Sequence, residues 1–279
     1  NFGNRILAGL YRPQHMIHDA IVPAGTPAVL VGKFDYDRVL HKDLEKEYVH
    51  AYVYGTGMQG WQYLGRYTTD TDGKIRVPVN KGVGEYRVRM VVEGDRSSVD
   101  GFLSVVEPGR QAVLFDIDGT LTLTDFEAYA DYLGIRTAQA YAYAPETVNA
   151  YRAKGYQIIY LTARPYWVTQ DARSWFPKYG LLDGHYHSNP FGDGPVPPDT
   201  QAFKTDYVKY LREQVGLDII RAYGNASTDI AAYADGGIPK AETWIIGSNA
   251  GASGTQALYD DYTYHFSTVV METPTASCN

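Results

Sequence analysis

The chain has 279 residues, 44% of them hydrophobic, a formal net charge of -7 and one cysteine, Cys278. This length holds one large domain or two ordinary ones with a real core, and the composition argues against disorder as a global state. The lack of a basic tract argues against a nucleic-acid partner, a lone cysteine builds neither a disulfide framework nor a cysteine-rich metal centre, and no apolar run reaches the roughly 18 residues of a transmembrane helix.

The chain opens on Asn1, and its 25 tyrosines and 28 glycines against 25 Lys plus Arg resemble the composition of many exported proteins. The expectation is a secreted or periplasmic protein after signal-peptide removal, with a cytoplasmic or peripheral-membrane place left open.

Residues 1–26, with RPQHMIHDAIVP, carry no clear periodicity and are expected to wrap the first domain. From 27 to 107 short runs rich in Val, Tyr and Phe predict strands: PAVLVGKFDY, EYVHAYVYG, GWQYLGRYT, KIRVPVN, EYRVRMVVEG and SSVDGFLSVVE. Turn material such as GTGMQG, TDTDGK and NKGVG separates them, and DRVLHKDLEKEY is the one stretch with helical length. A small β-sandwich is the natural reading for 1–108.

The rhythm changes near Pro108-Gly109. AVLFDID reads as a strand, APETVNAYRAKG as a helix, QIIYLTA as a strand and PYWVTQDARSWFPKYG as a helix; FKTDYVKYLREQVG is helical, DIIRAYGN a strand and turn, STDIAAYADGG a helix and ETWIIGS a strand. Alternation of this kind predicts an α/β domain over 109–279, a doubly wound, mostly parallel sheet with its site at the strands' carboxyl ends. The segment 183–199 reads as a loop that rims the site, and His185 and His187, though spaced like metal ligands, read as exposed loop histidines.

Candidate chemistry sits at the strand ends. Asp116 and Asp118 follow VLF directly in DIDGT. A carboxylate is a nucleophile when its target is electrophilic enough, as a phosphoryl group beside a divalent cation is. Asp116 would then attack phosphorus, and Asp118 would protonate the leaving alcohol and afterwards deprotonate the hydrolytic water. Gly119 permits the tight turn, and Thr120 can cap and orient the loop. In YLTARP, Thr162 ends an apolar strand where its hydroxyl can hold a phosphoryl oxygen. Arg164 can clasp a phosphate or head group through its fork, or form an ordinary surface ion pair. In AYGNASTDI, Asn225 and Asp229 offer hard oxygen ligands for Mg²⁺, with Asp229 the more exposed of the two, and Ser227-Thr228 read as helix caps.

DIDGTLT resembles the nucleophile motif of the haloacid dehalogenase superfamily of phosphohydrolases. The resemblance implies a HAD-like domain without a large cap, since the gaps from Asp118 to Thr162 and from Thr162 to Lys204 leave no room for an independent lid. It also implies Mg²⁺ held by Asp116, the backbone carbonyl of Asp118, and Asn225 or Asp229. Thr162 matches the second motif, and Lys204, at a helix beginning, matches the charge-balancing lysine. Together DIDGTLT, LTARP, FK and GN…D are similar to the lipin-type and LNS2-type branch, over roughly 111–248. Active members of that branch dephosphorylate phosphatidic acid, while others have lost the nucleophile and only bind the lipid. Asp116 is present here, so the resemblance implies a Mg²⁺-dependent phosphatase acting through an aspartyl-phosphate on phosphatidic acid or a related lipid phosphate at a membrane surface. A phosphatase of soluble phosphomonoesters or phosphoproteins, and a non-catalytic lipid- or phosphate-binding module, stay open as alternatives. Ala226 stands where the branch has arginine. TTDTDGKIRV…GEYRVRMVVEGD loosely resembles immunoglobulin-like or transthyretin-like β-sandwiches. The tyrosines of YADYLGIRTAQAYAYAPE read either as an aromatic entrance or as ordinary packing.

Overall fold

The computed structural model describes residues 13–36, 42–123, 139–166, 173, 176–181, 184–190 and 199–277. The chain divides into two units, Asn1–Val106 and Glu107–Asn279.

The first unit holds β1 (Met16–His18), β2 (Ala20–Pro23), β3 (Ala28–Lys33), β4 (Asp35–Tyr36), β5 (Lys42–Asp43), β6 (Tyr48–Gly55), β7 (Gln62–Thr68), β8 (Lys74–Val79), β9 (Gly84–Val92) and β10 (Ser98–Val106). Strands β1-β3-β8 form one antiparallel sheet; β2-β10-β9-β6-β7 form a second, in which β2 runs parallel to β10. The period-two pattern explains why they stack. In β9, Tyr86, Val88, Met90 and Val92 enter a core shared with Leu30, Val53 and Val77, while Arg87 and Arg89 stay outside it. The result is a β-sandwich. Residues 16–23 do not wrap it: they supply one strand to each sheet. Of the stretch expected to have helical length, 37–41 lie outside the described residues and Lys42–Asp43 is a strand.

The second unit contains β11 (Gln111–Phe115), α1 (Ala144–Ala153), β12 (Gln157–Pro165), β13 (His185–Asn189), α2 (Thr200–Lys209), β14 (Asp218–Gly224), α3 (Ser227–Asp235), β15 (Thr243–Ile246) and β16 (Gln256–Leu258). All six strands are parallel, in the order β13-β12-β11-β14-β15-β16. The central strand β11 is apolar on both faces. Val113 and Phe115 join a core with Val148 and Tyr151 of α1, and with Val270 from the helical turns Thr263–His265 and Phe266–Val270. α2 and α3 pack against each other, α2 also against β12 and α3 against β14. A parallel sheet needs such cover on its faces.

Two expectations change here. His185 and His187 are strand residues of β13, not loop residues, and His185 is buried and hydrogen-bonded to Tyr207. HYHSN reads poorly as a strand because two histidines and two polar residues hide its apolar face. Residues 183 and 191–198 of the presumed rim, half of the helix expected over 165–180, and 129–138 of the tyrosine-rich stretch lie outside the described residues.

β11 pairs with β12 on one side and β14 on the other, so the chain leaves the sheet centre outward, then returns to the opposite flank. The loops after β11 and β14 therefore part at adjacent strand ends and open the crevice where ligands of such sheets bind.

Within the second unit, buried His265 shares a hydrogen bond at Nε2 with the Tyr223 hydroxyl, 2.8 Å away. Burial, helped by the nearby Arg221, lowers its pKa.

 That is, the imidazole falls from an ordinary value of 6.5 to about 3 and stays neutral in the folded protein at any pH above that. Between pH 6.5 and 3 only the unfolded chain takes up this proton, so the stability that His265 contributes is whole above pH 6.5 and drains away as the pH falls. Relative to His265→Gln, the wild-type protein should therefore lose its advantage by about 1.4 kcal/mol per pH unit between pH 6 and 5. Urea unfolding of both proteins at pH 7.5, 6 and 5 checks this; a constant difference would refute it.

Candidate functional site

The site is built by four segments that reach the carboxyl ends of β11, β12 and β14. Asp116 is the first residue after β11. Its N–H donates to the Tyr223 carbonyl at 3.0 Å, which ties it to the adjacent strand β14. The next turn is tight: the N–H groups of Thr120, Leu121 and Thr122 all reach the Ile117 carbonyl, and Gly119 takes a positive φ of 68°. A side chain there would be strained, so glycine is the residue this turn needs. Thr122 closes the loop from below, with its hydroxyl accepting from the Gly119 N–H at 3.1 Å.

Asp116 is buried, and both of its oxygens are engaged. Lys204 Nζ donates to Oδ1 at 2.7 Å and the Thr120 hydroxyl to Oδ2 at 2.8 Å. Lys204 comes from the first turns of α2, whose N-terminus is capped by Asp199 through the Ala202 N–H at 2.9 Å. The same ammonium donates to Asp229 Oδ1 at 2.5 Å. One cation thus serves two buried carboxylates. Burial raises the Asp116 pKa to about 7; Lys204 opposes the shift, while Asp229 and Asp118 add to it. Burial alone would lower Lys204, but Asp116 and Asp229 outweigh it and hold the ammonium above its ordinary value.

Asp229 is not the exposed residue expected from the sequence. It is fully buried. Its Oδ2 accepts the N–H groups of Asn225 and Ala226, at 3.1 and 3.0 Å, so it caps the start of α3 itself. Ser227 and Thr228 lie inside that helix and not at its cap. Gly224 makes this fold-back fit, because a Cβ there would come within 2.6 Å of the Asp229 Cβ. Asn225 points the other way, its Oδ1 lying 3.4 Å from the Thr120 hydroxyl.

Asp118 sits at the more open side. Arg164 Nε donates to both of its oxygens at 2.8 Å, and Nη2 lies 2.7 Å from Oδ1. The Thr162 hydroxyl donates to Oδ2 at 2.9 Å and accepts the Arg164 N–H at 3.1 Å. Arg164 is thus ion-paired with Asp118, and both side chains are largely sheltered.

The structure therefore brings Asp116, Asp118, Thr120, Thr162, Arg164, Lys204, Asn225 and Asp229 together. Two further residues hold the loops. Tyr262 donates its hydroxyl to the Thr120 carbonyl at 3.0 Å, and Asn249 donates to the Asn225 carbonyl at 2.9 Å. Both lie after the last sequence motif, where no spacing or residue pattern signals them. Among the described residues no three His, Cys, Asp or Glu side chains converge into a metal cage, and no helix is long and apolar enough to cross a membrane.

Comparison with known proteins follows the division into two units. Residues 113–247 match the family description "PITM 1-3, LNS2 domain", and residues 13–105 match "PITM 1-3, beta-sandwich domain". The chain is 32% identical over 84% of its length to membrane-associated phosphatidylinositol transfer protein 1 of Rattus norvegicus, covering 18% of that protein. It is 32% identical over 90% of its length to protein retinal degeneration B of Drosophila melanogaster, covering 20% of it. It is 30% identical over 90% of its length to membrane-associated phosphatidylinositol transfer protein 3 of Homo sapiens, covering 25% of it. The chain thus spans about a fifth of the length of these curated relatives. Two of these three names are those of phosphatidylinositol transfer proteins, and none is that of a phosphatase. The two matches follow one another along the chain, a β-sandwich domain and then an LNS2 domain.

Proposed function

We propose that the second unit binds the phosphate of a lipid phosphomonoester of the phosphatidic acid class and hydrolyses it with Mg²⁺ through an aspartyl-phosphate on Asp116. The observation that carries this reading is the buried Asp116 carboxylate, held by Lys204 and Thr120 at the end of the central strand. The relatives' names, with their membrane association and phospholipid transfer, support the lipid part.

The donor set fits a hard divalent cation. Three carboxylates, Asp116, Asp118 and Asp229, face two cations, Lys204 and Arg164, which leaves one negative charge in a largely buried cluster. Mg²⁺ suits such a place, because it keeps several waters and needs only one or two protein carboxylates beside its phosphate ligand. Asp116, the Asp118 carbonyl and the Asn225 side chain would hold it; Asp229, spent on Lys204 and two N–H groups, supports the site from behind. When bound, the ion supplies charge neutralisation on the phosphoryl oxygens.

The residues then divide the work. Asp116 attacks phosphorus, so that a P–O bond to its carboxylate forms as the ester P–O bond breaks. Asp118 gives a proton to the departing alcohol, then takes one from the water that cleaves the acyl-phosphate and frees inorganic phosphate. Lys204 keeps Asp116 anionic against the incoming dianion, and Thr120 fixes its rotamer.

One observation favours a second reading, phosphate binding without turnover: Asp118 is clamped by Arg164 and is not poised as an acid.

Phosphate release from phosphatidic acid in mixed micelles, beside a panel of soluble phosphomonoesters and with and without Mg²⁺, separates the readings. Mg²⁺-dependent release from the lipid is expected, falling at least about 10³-fold in Asp116→Asn. Lipid binding with no release would support the binding module, and release only from soluble esters would remove the lipid. Lys204→Met should cost about 3–5 kcal/mol in urea unfolding at pH 7.5, because it strands two buried carboxylates. A loss below about 1 kcal/mol, the level of an exposed pair, would show that the ammonium is not needed to hold them.

A further inference from the structure

The carboxylate of Asp118 occupies the place where two kinds of anion donor converge. The Arg164 fork gives it Nε at 2.8 Å to each oxygen, and the Thr162 hydroxyl donates a hydrogen bond to Oδ2 at 2.9 Å. A planar guanidinium fork binds phosphate and carboxylate in the same bidentate way. Thr162 couples the two donors, since its oxygen also accepts the Arg164 backbone N–H at 3.1 Å. Lys204, the other cation of the cluster, is committed to Asp116 and Asp229. Arg164 is different: its partner is the side chain nearest the open side, with 19% of Asp118 and 11% of Arg164 exposed. Exchange at this pair does not require the core to open.

We propose that Asp118 is an internal stand-in for the ligand: a phosphomonoester binds by taking Arg164 and the Thr162 hydroxyl away from the Asp118 carboxylate. This rests on the phosphate-site reading above and adds an order of events to it. While the site is empty of phosphate, the fork holds Asp118 and the acid–base group is withheld. When the dianion takes the fork, Asp118 is released beside the ester oxygen it must serve. No bond is made or broken in the exchange; two ion-pair partners change places.

The exchange predicts competition that runs through one residue. Calorimetric titration of inorganic phosphate, with Mg²⁺ present throughout, would be carried out on the wild-type chain, Asp118→Asn, Arg164→Ala and the double variant. Removing the competing charge should tighten phosphate binding on the order of tenfold in Asp118→Asn. Arg164→Ala alone should weaken it, and the gain from Asp118→Asn should vanish in the Arg164→Ala background. A gain of the same size with and without Arg164 would overturn the proposal, since simple charge repulsion by Asp118 would then suffice. Unchanged or weaker binding in Asp118→Asn would overturn it as well. No phosphate binding by any of the four proteins, each shown to be folded by its thermal transition, would defeat the phosphate-site reading itself. If Arg164→Ala does not fold, Arg164→Gln removes the charge while keeping the bulk of the side chain.

Discussion

The site depends on one ammonium shared by two buried carboxylates. Lys204 lies between Asp116 and Asp229, with the three side chains nearly sealed from solvent. Taking three charged groups out of water costs several kcal/mol per ion, and such clusters are seldom kept for stability alone. What this one secures is position. Asp229 is pinned by two loop N–H groups, Lys204 is pinned by Asp229, and Asp116 is pinned by Lys204 and Thr120. The chain of contacts sets the nucleophile candidate against helix α3 and strand β14 at once, so that its orientation does not rest on its own loop.

The two aspartates of DIDGT consequently live in different surroundings although one residue separates them. Asp116 is buried, and its pKa is raised by that burial. Asp118 reaches the open side and is paired with an arginine.

Much of this was legible in the sequence because periodicity and chemistry coincide at the same positions. The runs VLF and IIYL announce buried strands, and the polar residues that end them have nowhere to go but the sheet's edge. The division into a β-rich first unit and a strand–helix alternation in the second is visible for the same reason. What was not legible depended on distance through space. HYHSN is a strand because β12 offers it a partner, not because its own residues favour one. MIH and AIVP are too short to show a period, yet each finds a sheet edge. Asp229 looked like an exposed ligand because its neighbours in sequence are small and polar; only the fold-back over Gly224 puts it underneath. Arg164 offered two roles, and its pairing with Asp118 across the strand ends is visible only in space.

The bond from Tyr262 to the Thr120 carbonyl joins residues 142 positions apart, and Asn249 holds the Asn225 loop in a similar way. During synthesis the strand that carries Asp116 leaves the ribosome long before either partner exists. The β11 loop must therefore wait, with its nucleophile candidate in place in the chain but not in space, until the sheet's far edge has been added. Assembly of the site is thereby tied to the last steps of folding, and a chain stalled before Tyr262 would carry every sequence motif and still lack the support of its first loop.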